Sequence, residues 1–413
     1  AGVAISGIFA LSGNVVAGNF TRLSQPAGDI PYNDIDALIE DGWLPDYRDT
    51  GKSFSAVERD ALKTTFDGQG GERNEIGLVP EEMAAYIATR DRRYRDHVIR
   101  LADEISYEDW HDFAQVRKDW GIEYAHTPSY WYCAGLLTGD KRYFFADEQI
   151  YRGWMQWLWQ LKPDDPDSAY ARSSDYGFNG RHWAWMVRNL ARMARLQSLG
   201  LTKYTYYRDA LENTRVYLMD EFVNGDDPIK QEWRVIGLNK GALKGSGTYN
   251  FTAWMESFIG QTLGHIIQLG FDEWMPVAEW HLEHLRRRIQ YWGMKGIDNS
   301  HFTIKWIDNV RQPDGSWDQV FMYQREFATS APYSEGRITQ EFLDWPDDKL
   351  IDTRMRGAKG GFLTYANRAQ YAYGWAALQA QAGVPGAREL ADQIDAAITE
   401  RGDVRDFKNT PAL

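Results

Sequence analysis

From residue 126 onward, apolar positions recur every three or four residues, in stretches that stop at a glycine and resume a few residues later. The first pair of predicted helices runs from about Thr127 to Leu137-Thr138-Gly139-Asp140, then from Arg142 to Leu161. The second runs from about Gly180 to Leu199-Gly200, then from Lys203 to Phe222. The third runs from about Asn250 to Leu269-Gly270-Phe271, then from Asp272 to Tyr291. The fourth runs from about Thr364 to Ala382-Gly383-Val384, then from Pro385 to Arg401. Glycine just past a helix end reaches the left-handed conformation without a Cβ clash. The turn that follows is short, so each pair is expected to be antiparallel.

Upstream the pattern is less regular. Helical spacing covers Ser55–Phe66 and resumes at Pro80-Glu81-Glu82, a proline followed by acids that suits a helix start, and continues to about Ala102. Residues 1–54, with Pro26, Pro31 and Pro45, read as an irregular arm, and residues 55–413 as one helical domain. The apolar segment 1–20 lacks a basic start and holds four glycines, so it reads as one or two short strands and not as a signal peptide. It does not begin with Met, as expected of a processed chain or a piece of a longer one, and the arm is a candidate contact with a larger assembly.

The connections between pairs are long: about 162–179, 223–249 and 292–363. Long connections in a compact domain are usually functional. If the first helices all point one way, the glycine turns gather on one face and the long loops on the other. The first-helix N-termini, with free N–H groups and partial positive charge, share the long-loop face. A cleft is expected there. Residues 292–363 are expected to form a lid, an extra helix pair or part of a cleft floor.

Composition narrows the ligand. The 413 residues carry net charge −13, which argues against nucleic acid and anionic membranes as partners. No apolar run reaches the roughly 18 residues of a membrane span. Cys133 is the only cysteine, so no intrachain disulfide forms and the redox compartment stays open. Eighteen Trp and 23 Tyr allow either an aromatic core or a cleft lined with flat rings that suit sugars.

The stretch HTPSYWYCAGLLTGDKRYFFADEQIYRGWMQW resembles the TGD-turn hairpins of carbohydrate-active toroids, and NGRHWAWMVRNLARMARLQSLG resembles their inner helices with Arg and Trp. Polysaccharide lyases and several glycoside hydrolase families use that architecture. The resemblance covers about residues 80–400 and implies an all-α fold, an (α/α) toroid of paired antiparallel helices, complete or partial. It also implies a polysaccharide or oligosaccharide as ligand, no cofactor, and an extracellular or periplasmic setting.

Candidate chemistry sits at the first-helix N-termini: Glu123, Tyr124 and His126; Asp175, Tyr176, Asn179, Arg181 and His182; Tyr249, Asn250 and Glu256; Tyr365, Asn367 and Arg368. β-Elimination needs a neutralised uronate carboxylate, a base for the α-proton and an acid for the leaving oxygen. His126 in HTPSYW resembles the His-Ser-Tyr-Trp segment of toroidal alginate lyases, with Thr127-Pro128 inserted and no Asn pair before it. That resemblance implies that His126 and Arg181 flank the carboxylate, Asn250 assists and Tyr249 is the base.

An inverting hydrolase on the same fold needs instead two carboxylates roughly 6.5–9.5 Å apart. Glu123, Asp175 and Glu256 are the candidates, with Asp119 and Asp314 behind them. The plain structural alternative places Glu256 on an exposed helix face. Trp131, Trp183, Trp185 and Trp254 are candidates for sugar stacking, with His182, Tyr365 and Arg368 as further substrate contacts. A non-catalytic glycan-binding or structural module is the remaining alternative. His281-Leu-Glu283-His284 could hold a metal, but with no HExxH and no paired cysteines it reads as the charged face of an outer helix, and no metal is expected. The runs Arg90–Arg93 and Arg286–Arg288 read as solvated faces.

Overall fold

The computed structural model describes residues 78–80, 83, 86, 91–109, 129–158, 180–226, 230–231, 234–237, 239–240, 248–292, 302–311, 317–325 and 366–400. The arm 1–54, the helix at Ser55–Phe66, and the glycine-rich stretches at Gly68–Gly71 and Gly357–Gly361 lie outside the described residues. The core is built by helices: α1 Arg92–Asp109, α2 Tyr130–Thr138, α3 Lys141–Leu158, α4 Gly180–Ser198, α5 Tyr207–Leu218, α6 Ala253–Gln268, α7 Met275–Trp292, α8 Ala366–Gln381 and α9 Ala387–Glu400. The all-helical class expected from the spacing therefore describes the packed core. None of the described helices is long and apolar enough to cross a membrane.

All four helix pairs close on the expected glycines, with φ of 74° at Gly139, 67° at Gly200, 92° at Gly270 and 80° at Gly383. Three closures share one hydrogen-bond scheme. The N–H of Leu201, Phe271 and Val384 returns to the carbonyl five residues back, on Leu196, Ile266 and Gln379. The glycine N–H bonds the carbonyl three residues back. This is the Schellman closure, in which the residue after the glycine is apolar and folds onto the helix end. Asp140 stands at that position in the first pair and is polar. There the Gly139 N–H bonds the Gly135 carbonyl instead, and Asp140 caps the next helix by accepting from the Arg142 N–H at 2.9 Å.

α4, α6 and α8 run parallel and begin level with one another. Trp185, Phe258 and Tyr371 are each the sixth residue of their helix and form one aromatic layer, with ring centroids 4.8 Å apart for Trp185–Phe258 and 4.9 Å for Phe258–Tyr371. Further along, Arg192 Nε meets His265 Nε2 at 3.3 Å, and Gln268 Nε2 donates to Gln381 Oε1 at 3.2 Å. α6 packs closely on α8 through two glycines, Gly264 against its backbone and Gly260 against the Trp375 ring. A Cβ on Gly260 would stand 2.2 Å from the Trp375 ring, and one on Gly264 would stand 3.1 Å from the Gln379 backbone. Gln379 Nε2 donates to the Gly260 carbonyl at 3.0 Å, and Gln261 Nε2 to the Tyr371 carbonyl at 3.1 Å, which stitches the seam.

α5 packs on α4, α7 on α6 and α9 on α8 as the second members of their pairs. α2 is apolar all round because it lies between two layers. Tyr132 joins the main core, while Tyr130, Trp131, Cys133 and Ala134 join a smaller core with Val98, Leu101 and Ala102 of α1. α5 starts at Tyr207 and not at Lys203. Glu148 of α3, fully buried, accepts the Lys203 and Tyr204 N–H groups and the Tyr207 hydroxyl, and so holds residues 203–206 as a turn.

A four-stranded antiparallel sheet, ordered β1 Asn239–Lys240, β2 Thr248–Thr252, β3 Phe302–Arg311 and β4 Trp317–Arg325, occupies two of the long connections. The third helix pair was expected to start at about Asn250. Instead Thr248-Tyr-Asn-Phe-Thr252, rich in β-branched and aromatic residues, pairs as a strand, and the helix starts at Ala253. Of the forms expected for 292–363, an extra helix pair is excluded over 302–311 and 317–325, which pair as antiparallel strands; residues 293–301, 312–316 and 326–363 lie outside the described residues.

Gly260→Ala is expected to destabilise the chain by about 3 kcal/mol, because the added methyl overpacks the α6–α8 seam. Gly270→Ala, with nothing within 4 Å of its Cβ, is expected to lose only the roughly 1 kcal/mol of left-handed strain. Chemical denaturation of both variants checks the order; equal losses would contradict the seam.

Candidate functional site

Because the three parallel helices start level, their first turns lie at one end of the molecule. Arg181 and His182 are the second and third residues of α4, Trp254 the second of α6 and Arg368 the third of α8. β2, which carries Tyr249 and Asn250, leads directly into α6. Tyr249 pairs with Lys240 and Trp306, Asn250 with Asn239 and Lys305. Tyr249 and Asn250 thus stand at consecutive strand positions and not at the helix start expected from the sequence. His126, Glu123, Asp175 and Tyr365 lie outside the described residues.

Under this end lies a junction that sequence reasoning missed. A turn at Arg234, held at φ 55°, feeds the buried Val235 and Ile236 into the core. The Glu256 carboxylate in the first turn of α6 accepts the Gly237 N–H at 2.9 Å and the Ile236 N–H at 3.1 Å. It also meets His281 Nε2 of α7 at 2.9 Å. Gly237 in turn lies against Gly180, the first residue of α4. A Cβ on Gly237 would stand 2.9 Å from the Gly180 Cα and 2.4 Å from Glu256 Oε1. The junction thus ties four elements with one carboxylate.

Glu256 and His281 are both fully buried. Glu256 is neither on an exposed helix face nor on an open rim, and its two oxygens are occupied by three donors. A carboxylate held in this way has no path to a polymer substrate, so the expected acid/base role for Glu256 is corrected to a structural one. His281 Nδ1 is buried without a hydrogen-bond partner.

His281 and His284 do not form a charged outer face. Both are buried and stack on Trp375, with centroids at 4.5 and 6.2 Å. The charged face of α7 is instead Glu283, paired with Arg286 and Arg287, while Arg288 is fully buried. Among the described residues no three of His, Cys, Asp or Glu are grouped to hold a metal. Trp131, Trp183 and Trp185 are 3, 2 and 1% exposed, so their rings pack in the core and do not offer sugar platforms. The apolar spacing that placed them on helices is the same signal that buries them.

A second polar group lies further along the same helices. Arg188 and Arg192 of α4 are fully buried. Arg192 donates to His265 and to the Leu78 carbonyl and lies over the Tyr132 ring, and Arg188 donates to Asn189 and lies over Trp185. Burial pushes Asp147 of α3 up to about 6, against the pull of the two guanidinium charges. Burial and the same two charges hold His265 well below its ordinary range. Burial also pushes the Tyr132 hydroxyl up to about 12, too high for a base near neutral pH. On the glycine-turn face, an open depression of about 500 Å3 is lined by Gln197, Arg208, Glu212, Phe271 and Glu273. Glu212 there is already paired with Arg215.

The chain matches no family model, no curated protein and no solved structure.

Asp147 and His265 give stability opposite pH slopes. From the ordinary 3.8 to about 6, the folded chain keeps a proton on Asp147 that the unfolded chain has lost, so this group makes stability fall as pH rises. His265 is neutral in the fold and protonated in the unfolded chain below 6.5, so it makes stability rise with pH there. Asp147→Asn is expected to remove the first slope, leaving stability to rise more steeply between pH about 4 and 6. Urea midpoints across that window check this, and parallel profiles for variant and wild type would contradict it.

Proposed function

We propose that the chain is a carbohydrate-active enzyme that cleaves a uronate-containing polysaccharide by β-elimination, on an (α/α) toroid in which α4, α6 and α8 are inner helices. The observation that carries the reading is the level, parallel start of these helices, which supports a shared rim formed by Arg181, His182, Trp254, Arg368 and the strand bearing Tyr249. Parallel first helices with antiparallel partners suit a ring of hairpins, and helix N-termini facing one way suit an acidic ligand.

In this reading Arg181 and His126 neutralise the uronate carboxylate, which makes the adjacent C–H acidic. Tyr249 takes that proton, and a protonated group of the same rim delivers one to the leaving glycosidic oxygen. Asn250, next along β2, assists at the carboxylate. Elimination is favoured over hydrolysis by the burial of Glu256, which leaves the inverting mechanism without one of its three leading carboxylates.

Incubation with a panel of uronate polymers is expected to give unsaturated ends that absorb in the ultraviolet. Tyr249→Phe is expected to lose roughly 10²-fold or more of the rate, the usual contribution of a positioned base. Reducing ends without ultraviolet absorbance would replace this reading with hydrolysis, and no cleavage of any glycan would leave a binding or structural module.

A further inference from the structure

We propose that Glu256 is the positioning residue of the rim: it sets where the first turn of α4, with Arg181 and His182, stands relative to β2, without touching substrate. The catalytic part of this inference rests on the elimination reading above; the mechanical part does not.

The argument starts from reach. The Glu256 side chain leaves α6 only four residues after the end of β2. Its oxygens fix Ile236 and Gly237 by their backbone N–H groups, and His281 fixes the carboxylate from the far side. Gly237 then sits on the Gly180 Cα with no side chain between them. Movement of the carboxylate moves Gly237, and Gly237 bears on the residue that precedes Arg181. α7 supports the chain of contacts, because stacking on Trp375 of α8 fixes the His281 ring plane.

Every link is buried and short, so slack is not available: Glu256, His281 and Ile236 are at 0% exposure. Gly180 is tight as well, since a Cβ there would meet Ile259 at 3.2 Å and Met255 at 3.3 Å. A group that orients a carboxylate-binding arginine through such a stack affects how well the bound sugar is aligned. Misplacement of about 1 Å can cost 10²-fold in rate. It does not exchange a proton with the substrate, so it leaves the ionisation profile of the reaction alone.

The test uses the full chain with Glu256→Gln, Glu256→Ala and Gly237→Ala. Hydrogen exchange of the Ile236 and Gly237 amides is read beside kinetics on the uronate polymer the wild type cleaves. Glu256→Ala is expected to speed exchange at both amides about tenfold or more and to lower kcat about 10²-fold, with an unchanged pH profile. Glu256→Gln keeps the length of the side chain and one acceptor oxygen for the 236–237 N–H groups, so it retains more of both. Gly237→Ala pushes the same contact from the other side and is expected to lower kcat in the same way. A shifted pH profile in Glu256→Gln would make Glu256 an acid or base and overturn the proposal. So would slow exchange at both amides in Glu256→Ala, or loosened amides with undiminished kcat. If the wild type cleaves no uronate polymer, the elimination reading fails, while the exchange result still decides whether Glu256 holds the junction.

Discussion

The backbone contact between α6 and α8 is the constraint from which the rest of the core follows. Gly260 and Gly264, one turn apart, remove the side chains that would keep the two helices at ordinary distance. Trp375 fills the space above Gly260, and its ring then orders His281 and His284 of α7. On the other side, Phe258 links the seam to Trp185 of α4. Three helices start level because one aromatic layer sets their height. Burial of rings of this size contributes on the order of 2–3 kcal/mol each, and edge-on and tilted contacts fix their mutual angle.

Polar groups in this core are placed, not scattered. Glu148 and Glu256 are both fully buried carboxylates, and each is committed to two backbone N–H groups of a distant segment. Each staples an irregular connection to the helix layer where helical hydrogen bonding cannot reach. A buried carboxylate is tolerated only when such donors meet it. Arg188 and Arg192 follow another rule. Their guanidinium planes lie on Trp185 and Tyr132, and Asp147 and a neutral His265 share their surroundings. The carboxylates thus hold connections at both ends of α4, Glu256 near its start and Glu148 past its glycine turn, and the arginines lie between them.

Much of the architecture was legible in the chain. The four glycines that end the first helices were identified from spacing alone, because a left-handed residue after an apolar-periodic stretch has few solutions. Helix pairing followed from the shortness of the turns. The start of α6 was not legible. The helical spacing was carried back to about Asn250, and only pairing with β1 and β3 makes Thr248–Thr252 a strand. His281 and Glu256 were misread for a related reason. His281 stands among charged neighbours, while Glu256 is the one charged residue of the stretch Trp254–Gly264; burial of either depends on partners that arrive from elsewhere, for Glu256 the 236–237 backbone about 20 residues upstream.

What the sequence by itself determined is therefore local: which residues are helical, where each hairpin turns and which ends carry Arg, His, Tyr and Trp. The physical reason is that helix period, glycine closure and short turns act over fewer than about ten residues. The tertiary structure decided that α4, α6 and α8 run parallel from a common level, that Tyr249 lies on a strand, that Trp131 and Trp183 are core residues, and that Glu256 holds a junction. Each of these depends on a contact between residues far apart in the chain, and no local pattern encodes which distant backbone will meet a buried side chain.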